Sequence, residues 1–125
     1  MIQRLQSIYL VFTFLFTSIL FYGSTYALEG NFFLDYYGFV LPPMLTLVTL
    51  FLFKKRIIQA FLCIILILLQ MIQIALYFNQ FDFISRLGWT EGVLIFSLIN
   101  IILIFLARRA ILKDEALVRS IDRIR

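Results

Sequence analysis

An all-α membrane protein is the fold class this sequence predicts: four transmembrane helices arranged as two hairpins, followed by a C-terminal amphipathic cytoplasmic helix. Three observations predict it. The chain of 125 residues is 63% hydrophobic and 14% charged, whereas soluble domains carry about 25% charged and roughly 45–50% apolar residues. Its apolar residues fall into runs that approach the ~20 needed to cross a hydrocarbon core. The few charges sit in short flanks beside those runs. A soluble domain of this size could not keep fifteen Phe and six Tyr from water, so one integral membrane domain over residues 1–125 is expected.

The first segment, 7–28, follows a short polar start with Arg4. A cleaved signal peptide is the competing reading, but the run exceeds the ~7–15 residues of a signal core, and Tyr26 is a poor neighbour for cleavage. Glu29, Gly30 and Asn31 open a polar connection that reaches Asp35, with Phe32 and Phe33 at headgroup level. Tyr36 and Tyr37 then start a second segment, 36–53, with aromatic rings at the interface that favours them. Pro42 and Pro43 suit a first helical turn and would release backbone bonds deeper in. The helix is therefore expected to begin properly near Leu41.

Lys54, Lys55 and Arg56 form a basic hinge. The most apolar segment, 57–78, follows it. A second loop runs from Asn79 to Glu91, with Trp89 as an aromatic anchor, and a fourth segment spans about 90–106. The tail, 107–125, continues as a helix. Ala110, Leu117, Val118, Ile121 and Ile124 project along one face at helical spacing, and Arg108, Glu115, Arg119 and Arg123 along the other. Glu115 and Arg119 have i,i+4 spacing. Such a tail can lie on the anionic inner leaflet or dock on a partner or a second copy.

Ten of the eleven Lys and Arg residues lie in the N-terminus, the hinge and the tail, against three acidic residues there. The other two loops carry Glu29, Asp35, Asp82 and Glu91 against Arg86 alone. The positive-inside rule then predicts a multi-pass membrane protein with both termini and the hinge cytoplasmic. The net charge of +4 reports topology, and no nucleic-acid partner is expected.

Uncharged polar residues share faces within the segments. Gln6, Thr13, Thr17 and Ser24 fall within about 20° of one line at 100° per residue. Gln59, Gln70, Gln73 and Tyr77 share a face with Cys63, the second segment offers Thr46 and Thr49, and the fourth Ser97 and Asn100. These faces are expected to point inward and hold a bundle together, since interhelical hydrogen bonds contribute about 0.6–2 kcal/mol each. The functional alternative is an intramembrane polar face of Gln70, Gln73 and Asn100, open to a headgroup, quinone or solute.

Several functions are excluded by composition. No charged residue lies mid-segment, where proton relays and ion pathways carry theirs, so a proton-coupled multidrug exporter lacks its carboxylate. One cysteine cannot serve a disulfide-forming enzyme. The chain has no histidine, and with it go the commonest metal ligand and the proton-transfer group best matched to neutral pH. G-x-S-x-G is missing and H-E-x-x-H is impossible. No enzyme activity, metal or cofactor is expected.

The opening Met1 to Leu10, the hinge at Leu52, Phe53 and Lys54, and above all the tail from Ala107 to Arg125 resemble a small four-helix membrane-protein family of Bacteroidota, domain of unknown function 4293. The tail motif runs from Lys113, Asp114 and Glu115 through Val118, Arg119 and Ser120 to Asp122 and Arg123. The resemblance implies an inner-membrane location and four spans, and carries no activity or catalytic residue. The expected function is a non-enzymatic accessory or scaffold subunit of an inner-membrane assembly, with membrane lipids and other membrane proteins or a second copy as partners. Arg108, Arg109, Lys113, Arg119 and Arg123 are the expected cytoplasmic contact. The alternative is a small transporter or channel using the polar face.

Overall fold

The computed structural model describes residues 2–27, 32–78 and 89–124. Both connections expected to carry acidic residues, 28–31 and 79–88, lie outside them, as do the side chains of Arg4, Ser24, Asp35, Tyr77, Trp89, Glu91 and Ile124. Regular structure among the described residues is all helical: α1 (Ile2–Ala27), α2 (Phe32–Phe51), α3 (Arg56–Phe78) and α4 (Trp89–Ile124). Helices α1, α3 and α4 are long and apolar enough to cross a membrane, while α2 contributes a shorter apolar stretch, Val40–Phe51.

Two boundaries differ from expectation. Helix α2 starts at Phe32 and runs through Pro42 and Pro43, so these prolines sit in its interior. Neither donates a backbone N–H, which releases the carbonyls of Gly38 and Phe39; membrane helices tolerate this where neighbours and local adjustments re-satisfy the freed groups. The second difference is α4. Its 36 residues form one uninterrupted helix, so the span and the tail are not separate elements. No Gly or Pro follows Gly92, leaving nothing to stop the helix where charges begin at Arg108.

Each helix packs on its two neighbours in the ring, α1 on α2, α2 on α3, α3 on α4 and α4 on α1. Gln6 near the start of α1 meets Ala110 of α4 while Leu20 further along α1 packs with Val93 near the α4 start, and Arg56 at the start of α3 meets Asp114 in the second half of α4. Both pairs therefore run antiparallel. Helices α2 and α3 are joined by a tight turn over 52–55, closed by the Lys55 amide on the Leu52 carbonyl at 2.9 Å.

Buried positions advance in alternating steps of four and three. On α1 they are Gln6, Leu10, Thr13, Thr17 and Leu20; on α2, Pro42, Thr46 and Thr49. On α3 they include Gln59, Cys63, Leu66, Gln70 and Gln73, and on α4 Val93, Ser97, Asn100, Ile104, Ala107 and Ile111. This seven-residue repeat is the seam of left-handed bundles. Its chemistry is inverted relative to a soluble core: among the described residues, ten polar side chains are buried beside nine apolar ones and Pro42, while Phe12, Met44, Phe61, Leu68, Ile102 and Phe105 stand exposed. Such an exterior suits hydrocarbon.

The threonines do not hold the helices together. Thr13, Thr17, Thr46 and Thr49 donate to carbonyls of their own helix, at Tyr9 (2.8 Å), Thr13 (2.9 Å), Pro43 (2.9 Å) and Thr46 (2.7 Å). Back-bonding satisfies the hydroxyl locally and makes it small and dry, so these residues allow close approach without linking neighbours. Gln6 and Gln59 do link elements. Gln6 Nε2 donates to the Ala110 carbonyl and Gln59 Nε2 to the Thr49 carbonyl, both at 3.1 Å. Both lie at the end of the bundle that carries the 52–55 turn.

Cys63 is wholly buried between Leu10, Ala60, Leu66 and Ala107. It is expected to resist a polar maleimide in mild detergent and to react stoichiometrically once the bundle is denatured. Rapid labelling of the folded protein, followed by mass spectrometry, would contradict this packing.

Candidate functional site

Two groups of polar residues stand out, one within the bundle and one at the turn end. The inner group lies on the facing seams of α3 and α4. With Arg56 level with Asp114, antiparallel register brings Gln70 level with Asn100 and Gln73 level with Ser97. Gln70, Ser97 and Asn100 are wholly buried and Gln73 nearly so. Both amide atoms of Gln70, both of Asn100 and the Ser97 hydroxyl carry no hydrogen-bond partner among the described residues. Buried unpartnered polar atoms cost about 1–3 kcal/mol each, so this layer is expensive for a purely structural device.

The outer group joins the hinge to the first turns beyond the α4 seam. Arg56 Nε lies 3.3 Å from Asp114 Oδ2, with side chains 18% and 13% exposed. The approach lacks the angles of a hydrogen bond, so it is an ion pair held by charge. Helix α3 has no acidic residue in its first turn and opens on Arg56 itself, a cation at the positive end of the helix dipole. Asp114 supplies from α4 the negative charge that α3 lacks. At the next residue, Glu115 accepts from Arg119 Nε at 3.2 Å, as the i,i+4 spacing predicts.

Of the expected contact residues, Arg109, Lys113, Arg119 and Arg123 are exposed and Arg108 is half-buried. The buried Nε of Arg108 has no partner among the described residues. The apolar stripe expected on the tail divides. Ala110 is half-buried against Gln6, whereas Leu117, Val118 and Ile121 are exposed; the buried residues of this stretch are Ala107 and Ile111, which continue the bundle seam. Two open cavities flank the ion pair. One of about 750 Å³ is bordered by Lys54, Lys55, Arg56, Glu115 and Val118, and one of about 460 Å³ runs between α3 and α4 past Arg108.

Arg56 and Asp114 were not singled out as a pair from sequence. A mutual signal exists only in their charges, because the pairing joins positions far apart along the chain. Among the described residues no cluster of His, Cys, Asp or Glu could hold a metal ion.

A family model described as Domain of unknown function (DUF4293) matches residues 35–124. The chain belongs to that family. The DUF4293 match takes in α3, α4 and nearly all of α2, and so includes the hinge, the Arg56–Asp114 pair and the Gln70–Asn100 layer. Helix α1, which completes the ring, precedes the matched region. No curated protein and no solved structure matches the chain.

Proposed function

We propose that this protein is a non-enzymatic scaffold or accessory subunit of an inner-membrane assembly, its four helices crossing as two hairpins with both termini cytoplasmic. The observation that carries this reading is the end of α4. Residues 116–123 continue the helix with every side chain exposed, including Leu117, Val118 and Ile121 beside Arg119 and Arg123. A rigid helix that leaves its bundle with uncovered apolar residues and cationic neighbours is a surface suited to helix-in-groove recognition. The excess of Lys and Arg in the N-terminus, hinge and tail supports the orientation.

Truncation after Ala116 tests this, because it removes the projecting turns and keeps Asp114 and Glu115. The shortened chain is expected to fold and to lose its partner. A photo-crosslinking residue at Ile121 in cells should give one discrete adduct, absent when the probe is moved to Phe105 on the lipid-facing side. An adduct of twice the chain mass would identify a second copy. No adduct at Ile121, or the same adducts from Phe105, would defeat the proposal.

The unpartnered atoms of Gln70, Ser97 and Asn100 favour one second reading, a small transporter or channel with these groups lining a solute path together with Gln73. Solute flux in liposomes that survives replacing Gln70, Gln73 and Asn100 with Leu would remove it.

A further inference from the structure

We propose that the groove between α3 and α4 is a specific site for an anionic phospholipid, with Arg108 as the residue that selects the phosphate. The groove of about 460 Å³ changes character along its length. Towards the middle of the helices its walls are Ala60, Phe61 and Ile64 of α3 facing Leu112 of α4; towards the turn they are Arg56, Glu115 and Arg119. Small Ala60 and Ala116 make the depression, and exposed Phe61 and Leu112 form its apolar rim. An amphiphile with acyl chains along Phe61 and Ile64 and its headgroup towards the turn matches that gradient.

The charges choose the headgroup. Asp114 is engaged by Arg56 and Glu115 by Arg119. Arg108, Lys54 and Lys55 have no carboxylate partner among the described residues, and Lys54, Lys55 and Arg56 line the adjoining cavity of about 750 Å³. Cationic charge is thus in excess where the groove opens, which favours a phosphate diester without a compensating ammonium. Basic recesses between membrane helices on the cytoplasmic side bind anionic headgroups on this principle.

Depth singles out Arg108. It lies six residues before Asp114, about 9 Å further along the helix axis towards the apolar middle. A guanidinium at that depth is costly unless it snorkels or finds an anion, yet its Nε is buried without a partner. A lipid phosphate drawn down to the groove satisfies it, and the planar fork of Arg suits phosphate oxygens. The proposal needs only that α3 and α4 share a bilayer, and is independent of whether the tail binds a protein.

The test is native mass spectrometry of the full chain released from nanodiscs of equimolar phosphatidylglycerol and phosphatidylcholine. The wild type is expected to retain phosphatidylglycerol in preference. Arg108→Gln should reduce that retention about fivefold, and so should Ala116→Trp, which fills the groove from an exposed position and changes no charge. Arg123→Gln, the same charge change outside the groove, should leave it unaltered. Inorganic phosphate in the buffer should not displace the lipid. Equal retention of the two lipids, equal loss in Arg123→Gln, displacement by phosphate alone, or full retention in a folded Ala116→Trp protein would each overturn the assignment.

Discussion

Asp114→Asn is expected to destabilise the bundle by on the order of 2 kcal/mol, a large effect for so small a change in one side chain. The carboxylate is the counter-charge to Arg56, and both groups are too buried for solvent to screen fully. Without it, Arg56 stays at the positive end of the α3 dipole with no partner, and the contact that closes α4 onto the turn is lost. Unfolding midpoints in mixed mild and denaturing detergent measure the loss. Exchanging the two residues, Arg56→Asp with Asp114→Arg, should restore most of it, because the carboxylate then lies at the α3 N-terminus where the dipole favours it. An unchanged midpoint in Asp114→Asn would mean that the pair contributes nothing to stability.

The opposite sign is expected for the inner layer. Gln70→Leu combined with Asn100→Leu should raise the same midpoint by on the order of 2 kcal/mol. Each wild-type amide is buried without a partner among the described residues, so its replacement removes a desolvation cost while Leu keeps much of the volume. Should the double variant instead be less stable, the two amides contribute to the packing of the bundle, and the solute-path reading loses the observation that favours it.

The inward faces could be read from the sequence because polar residues are scarce in apolar segments. Gln6, Thr13 and Thr17 on α1, Thr46 and Thr49 on α2, Gln59, Gln70 and Gln73 on α3, and Ser97 and Asn100 on α4 are all buried, and their angular alignment marked the side of each helix away from lipid. The apolar members of the same seams, such as Leu10, Leu66 and Ile104, carried no signal. Leucine and isoleucine cover both the seam and the lipid surface, so periodicity vanishes into a uniform background.

The division at 106/107 followed hydropathy, which drops at Arg108, whereas helix continuity depends on the absence of a breaker. The prolines misled in the same way: in water Pro42 and Pro43 would mark a helix start, and within a bundle they do not. The outer site was hidden for another reason. Arg56 and Asp114 each looked like an ordinary flanking charge, and only packing reveals that they serve one another.

The bond from Gln6 to Ala110 joins residues 104 apart in sequence and belongs to the contact between the first helix and the last. This sets an order on biosynthesis. Helix α1 leaves the ribosome before α4, with Gln6, Thr13 and Thr17 on a face that α4 later covers. Until α4 arrives the ring is open and that face has only α2 beside it, so a nascent or truncated chain presents a polar stripe to lipid.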